Sequence, residues 1–226
     1  MTESPHSASD LEQIYKNRFS GAEEYRNQVW QTLTAKVFSR WVSPDTAVLD
    51  LGCGYCEFIN NIQARVKYAM DLNPAARQHA AADVDVRLQD CSAPWQLPLA
   101  TLDAVFTSNF FEHLPDKTAL ERTVLNAFEC LKPGGRLIAL GPNIRYTGDA
   151  YWDFYDHYVA LTDLSLIELL QKSGYEIEYS VARFLPYTMA RGPKFPVWTL
   201  KAYLMIPLAW PIFGQQFLVV ARKPAA

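Results

Sequence analysis

Cysteine is scarce in this chain: four in 226 residues, at positions 53, 56, 91 and 130. So small and irregular a set excludes the disulfide framework of a compact secreted domain. Basic charge is not in excess either. Lys and Arg number 21 against 24 Asp and Glu, a formal net charge of −3. The chain as a whole therefore carries no electrostatic footprint for a nucleic-acid backbone. No apolar run follows a basic start, so no secretory leader is read and a cytoplasmic location is expected. A long apolar run is also missing. The nearest approach, 195–220, is interrupted by Pro196, Pro207 and Pro211 and contains Lys201, Gln215 and Gln216. A membrane-spanning helix needs about 20 mostly apolar residues without such breaks.

What remains is an ordinary globular composition, 50% apolar and 20% charged, in a length that suits one domain with a full core. Residues 22–41 have helical periodicity, with Val29, Leu33 and Val37 at four-residue steps. The run Ala47 to Leu51 ends in glycine and reads as a buried strand. Further strands are expected at Val66 to Met70, Val84 to Leu88, Leu102 to Thr107, Arg136 to Leu140, Tyr175 to Val181 and Phe217 to Ala221. Helices are expected between them: Cys56 to Ala64, Pro74 to Ala81, a segment opened by Thr118 and Glu121 in capping-box form, and one capped by Thr162 or Asp163 and closed by Gly174. Strands alternating with helices imply an α/β fold with a doubly wound, mostly parallel sheet and helices on both faces.

In such sheets the ligand sits beyond the carboxyl ends of the strands. The first strand is followed by Gly52-Cys53-Gly54, a backbone turn able to approach a ligand closely. The second ends at Asp71, about 20 residues after the turn, the spacing at which an acid meets the ribose hydroxyls of an adenosine cofactor. Asp90-Cys91 follows the third strand, and Ser108-Asn109-Phe110-Phe111-Glu112-His113 the fourth.

The segments VLDLGCGYCEFI, YAMDLNP, LQDCSAPWQLP, LDAVFTSNFFEHLPD and LKPGGRLIALGPN, in that order, resemble the successive motifs of class I S-adenosylmethionine-dependent methyltransferases. The resemblance runs from about Val48 to Asn143 and more weakly to Ala221. It implies a Rossmann-like sheet of seven strands, mostly parallel with an antiparallel last strand. Residues 1–226 would form a single methyltransferase domain, with 1–43 an N-terminal helical lid and 183–214 an insertion between the last two strands. It also implies S-adenosyl-L-methionine as cofactor. Gly52, Cys53 and Gly54 would lie under its methionine part and Asp50 would orient the ammonium group. Asp71 would take the ribose hydroxyls and Leu72 would lie against adenine. Asp90 would meet the adenine amino group with Cys91 beside it, and Asn109 and Phe110 would border the methionine chain. Tyr15 and Arg18 belong to a segment expected to fold over the site, Arg18 pairing with the cofactor carboxylate. Cys56 stands where the family often has a third glycine. It is harmless if the backbone there is helical, and costs about 1 kcal/mol if φ must be positive.

Cys53-x-x-Cys56 has the spacing of half a zinc site, but no second closely spaced Cys/His pair accompanies it, so no metal is assigned. His113 reads either as a helix-entry residue bonded to nearby backbone or as a general base. His157, in the aromatic and acidic stretch 151–158, is the second base candidate, within a packed lid or a substrate wall. The insertion, in order of preference, caps the pocket, forms a dimer face with a second copy, or touches a membrane peripherally. The expected activity is methyl transfer to a small-molecule acceptor, oxygen slightly before nitrogen. The alternatives are a lipid-linked or macromolecular acceptor, and a non-catalytic protein that binds through the cofactor fold. A nucleic-acid partner is not expected, since TSNFFEH stands where amino-directed enzymes of the family commonly carry Asn/Asp-Pro-Pro-aromatic.

Overall fold

The computed structural model describes residues 13, 21–187 and 194–225. Tyr15 and Arg18, expected over the cofactor, lie outside the described residues. Seven strands form one sheet: β1 (Ala47–Leu51), β2 (Val66–Asp71), β3 (Val84–Leu88), β4 (Leu102–Ser108), β5 (Leu131–Pro142), β6 (Glu176–Leu185) and β7 (Gln216–Arg222). Their order is β3-β2-β1-β4-β5-β7-β6. The pairs β2–β3, β1–β2, β1–β4 and β4–β5 are parallel, while β7 runs antiparallel to both β5 and β6. This is the Rossmann-like, mostly parallel arrangement expected, with β7 the reversed strand.

Side chains alternate across each strand, so one strand feeds two cores. Leu49 and Leu51 of β1 and Val105 of β4 join the core under α4 (Lys117–Cys130) and α6 (Asp163–Lys172), with Leu120, Val124, Leu166 and Leu170. Val48, Ala104 and Phe106 face the other core, under α1 (Glu23–Lys36) and α2 (Glu57–Asn61). There Phe58 and Phe106 stack with centroids 3.6 Å apart, and Trp30 and Phe38 meet Phe106 edge-on at 5.9 and 4.8 Å. Each fully buried ring contributes about 2–3 kcal/mol through the water it leaves. This packing sustains α1, which has no side-chain N-cap.

By the same alternation Asp50, Ser108, Leu140 and Gln216 share the α1 face, at the end of the sheet where the parallel strands finish. The apolar pattern thus brings an acid, a hydroxyl and an amide to one rim.

Several local expectations are corrected. The N-cap of α4 is Asp116, whose carboxylate accepts from the Ala119 N–H at 2.7 Å, and not Thr118. The helices expected over 56–64 and 74–81 are single turns, α2 and α3 (Ala76–His79). The Asn60 side chain joins their ends, donating to the His79 carbonyl at 2.8 Å and accepting from the Ala81 N–H at 2.9 Å. Both helices stop where that amide takes over the hydrogen bonding. Strand β6 continues to Leu185, and the rest of the insertion carries α7 (Val197–Leu204) and α8 (Trp210–Phe213). The one-turn helix α5 (Ile144–Thr147) follows β5. Among the described residues no helix is long and apolar enough to cross a membrane.

Candidate active site

A cavity of about 200 Å³ opens at this rim. Its floor is the turn after β1. Gly52 has φ +70° and Gly54 φ +52°. A Cβ at Gly52 would come within 2.7 Å of Phe110 Cβ, with the ring carbons nearer still, so Phe110 closes directly over this glycine. Cys56 has φ +61° and ψ +21°, left-handed backbone. The condition foreseen for that position therefore holds, and a cysteine bears a conformation that suits glycine. Its Sγ is buried, 3.7 Å from Cys53 Sγ and 3.5 Å from the Ala76 carbonyl. The contact with Cys56, together with burial, pushes the Cys53 thiol well above its usual range. A buried thiol raised in this way is a poor zinc ligand and a poor redox nucleophile.

Asp50 is 3% exposed and lines the cavity. Burial raises its carboxyl well above the usual range, and the Glu57 and Asp71 charges add to the effect. No ion pair relieves it among the described residues. A buried acid of this kind favours a cationic ligand group. Asp71 organises the turn: Gly54 N–H donates to its Oδ2 and Asn73 N–H to its Oδ1, both at 2.8 Å. Burial raises its pKa, with the backbone donors of Asn73, Gly54 and Leu72 working against it. Asn109, with φ +49°, also lines the cavity, and its buried Oδ1 has no hydrogen-bond partner.

Asp71 and Phe110 are not among the residues that line the cavity, and neither are Leu72, Asp90 and Cys91. Leu72 is exposed beyond β2. Asp90 Oδ1 accepts from both the N–H and the Oγ of Ser92 at 2.8 Å, holding its own loop. Cys91 is buried with Sγ 3.4 Å from Thr123 Oγ1, and burial pushes its thiol up to about 12.

At the other end of the cavity Glu112, His113 and His157 converge, with one ligand-type atom from each lying within 4.8 Å of the others. His113 Nδ1 lies 2.9 Å from the Asp156 carbonyl and 3.2 Å from Asp156 Oδ2. Donation from Nδ1 to Asp156 leaves Nε2 as the functional nitrogen. Burial works to lower the His113 pKa, but the Asp156 hydrogen bond and the Glu112 and Asp156 charges outweigh it, and the net shift is upward. His157 stacks on Phe154 at 5.0 Å and meets Tyr151 edge-on at 4.7 Å. Tyr151 is itself buried, its hydroxyl donating to the Val159 carbonyl.

Sequence reasoning did not single out Arg26, Trp30 or Glu57 as wall residues. Arg26 is 7% exposed and pairs with Glu57 at 2.6 Å, placing a guanidinium beside the glycine turn. Its signal was available: Arg26, Trp30 and Leu33 are spaced as one helical face. Asp156, the partner of His113, had been noted only as part of an acidic and aromatic stretch.

A glycine turn and an acid at the next strand end, on a sheet with one reversed strand, define the class of α/β proteins that bind an adenosyl cofactor at the strand termini. The family model described as a methyltransferase domain matches residues 22–180, and the chain belongs to that family, the S-adenosylmethionine-dependent methyltransferases. No curated protein matches the sequence. Among solved structures, a chain of the complex between the Haloferax volcanii Trm112 methyltransferase activator and a methyltransferase is 16% identical, covering 95% of this chain and 97% of its own, with a TM-score of 0.69. A SAM-dependent methyltransferase from Archaeoglobus fulgidus is 19% identical over 91% and 99%, with a TM-score of 0.67. The N-methyltransferase NodS from Bradyrhizobium japonicum, in complex with S-adenosyl-L-homocysteine, is 15% identical over 96% and 98%, with a TM-score of 0.63. At these identities the similarity concerns the fold.

The chain's residues fit the cofactor on their own terms. Asp50 is a buried carboxyl with no ion pair among the described residues, Asn109 Oδ1 is an unpartnered acceptor among them, and Gly52 admits no side chain.

Proposed function

We propose that this methyltransferase alkylates an oxygen of a small-molecule acceptor. The observation that carries the reading is the convergence of Glu112, His113 with Asp156, and His157 at the end of the cavity beyond Asn109. Such a cluster suits an acceptor that loses a proton as it is methylated, as a hydroxyl does and a neutral amine need not until after transfer.

In this reading Asp71 holds the ribose hydroxyls and Asp50 the ammonium group, over the backbone of Gly52, Cys53 and Gly54. Arg26 faces the carboxylate. Leu72, Asp90 and Cys91 border the adenine side, and Asn109 and Phe110 the methionine chain. When bound, S-adenosylmethionine supplies a methyl carbon already activated by its sulfonium charge. The protein's part is to align the acceptor oxygen with that carbon and to exclude water. Orientation of this kind is worth several kcal/mol of the barrier. Trp30, Leu33, Phe58 and Phe106 give the cavity an apolar wall on the α1 side. His113 and His157 are the catalytic residues, meeting the acceptor oxygen where its charge develops.

One observation favours a second reading, an acceptor carried on a lipid. Phe195, Trp198, Met205, Ile206, Leu208, Ile212 and Phe213 are all exposed on the insertion, which packs beside α1 and so lies near the cavity mouth.

Incubation with radiolabelled S-adenosylmethionine and panels of hydroxyl, amine and lipid-linked acceptors tests the proposal. Label in a base-stable ether is expected, and label confined to amines refutes the oxygen assignment. Asp71→Ala should weaken S-adenosylhomocysteine binding about tenfold or more, the value of a charge-assisted hydrogen bond.

A further inference from the structure

We propose that Glu112, His113 and His157 form a divalent-cation site in the acceptor half of the cavity. Three features point to a built site. The donor atoms of the two imidazoles and the carboxylate lie within 4.8 Å of one another, a spacing that closes on one ion at ligand distances of about 2.1 Å with a small side-chain rotation, and all three residues line the same cavity. His113 is held as metal-bound histidines are held: its Nδ1 faces the carboxylate and the carbonyl of Asp156 at 3.2 and 2.9 Å, which fixes the ring and leaves Nε2 as the ligating nitrogen. The two chain segments that supply the ligands are joined. The Tyr158 and Val159 N–H groups both donate to the Glu112 carbonyl, at 2.8 and 3.1 Å, so the turn bearing Glu112 and His113 is fixed against the loop bearing His157. Packing of His157 against Phe154 and Tyr151 limits its rotation.

Two imidazoles and one carboxylate suit first-row divalent ions from Mn²⁺ to Zn²⁺, and three protein ligands leave coordination positions open. With the ion bound, the two imidazoles would act through it and not as free bases, and the open positions would face the acceptor and polarise its hydroxyl. That role rests on the oxygen-acceptor reading above, whereas binding of the ion does not. The cysteines at 53 and 56, which carry the metal-like spacing in the sequence, take no part.

Titration of the full-length, metal-stripped protein with Co²⁺, followed by its visible ligand-field bands, tests the site directly. One saturable Co²⁺ per chain is expected. Glu112→Gln and His157→Gln should each weaken it about tenfold or more, and Asp156→Asn about tenfold through the orientation of His113. His79→Gln should leave it unchanged. Calorimetric binding of S-adenosylhomocysteine by each variant certifies that it is folded. Absence of saturable Co²⁺ uptake, or uptake unaffected in folded Glu112 and His157 variants, overturns the proposal. Uptake that follows these residues in a protein unable to bind S-adenosylhomocysteine would uphold the cation site while contradicting the cofactor reading.

Discussion

Replacing Gly52 by alanine tests the cofactor turn at its tightest point. The backbone there has φ +70°, and a Cβ would lie 2.7 Å from Phe110 Cβ and closer to the ring. Left-handed backbone costs a non-glycine residue about 1–2 kcal/mol. Displacing a packed ring costs about 1–3 kcal/mol more. Gly52→Ala should therefore destabilise the protein by about 2–5 kcal/mol, lowering Tm by about 6–15 °C for a chain of this size. The two contributions separate in a double-mutant cycle. In Gly52→Ala/Phe110→Gly both the ring and its Cβ are gone, so a coupling of about 1–3 kcal/mol should be recovered while the backbone part remains. Urea unfolding at equilibrium measures all four proteins. A coupling within about 0.5 kcal/mol of zero, or a nearly neutral single variant, refutes the proposed contact between Phe110 and the turn.

Asp50→Asn should raise the Tm of the cofactor-free protein at neutral pH while weakening S-adenosylmethionine binding. The native carboxyl pKa is raised, first by burial and then by Glu57 and Asp71. A group raised in the folded state contributes stability below its unfolded pKa and loses it as pH rises through the folded value. The advantage of the asparagine should therefore vanish in acid, and thermal unfolding of both proteins across pH checks this. Arg26→Ala leaves the buried Glu57 without its guanidinium partner and should cost about 3 kcal/mol. Arg26→Ala/Glu57→Ala should cost less, and equal losses in urea unfolding would show that the pair is not coupled. The single variant should also weaken S-adenosylhomocysteine binding in calorimetry.

The strands were legible because each is an apolar run punctuated by turn residues, and β1 is buried along its whole length. Asp50, within that run, was assigned through the resemblance to the methyltransferases rather than from the pattern of the strand. Helix ends were less legible, because they depend on which polar side chain reaches the backbone first. Asp116 displaces Thr118 as the cap of α4, and Asn60 ends both α2 and α3. Periodicity does not report such competition. The glycine turn and Asp71 could be read from local spacing, since the turn follows β1 and the acid ends the adjacent strand. The cluster of Glu112, His113, Asp156 and His157 could not. His113 and Asp156 are 43 residues apart, and only the path of the chain after β5 brings them together. The left-handed backbone at Cys56 was open to question only through the glycine that the family often has there, since a cysteine by itself gives no sign of the φ it must adopt.

A crystal structure with S-adenosylhomocysteine tests the central claim most directly. The account predicts the ribose hydroxyls at Asp71, the ammonium at Asp50, the thioether above the Gly52–Gly54 turn, and the sulfur facing Glu112, His113 and His157. Ligand bound away from that turn, or with neither Asp50 nor Asp71 in contact, would contradict it.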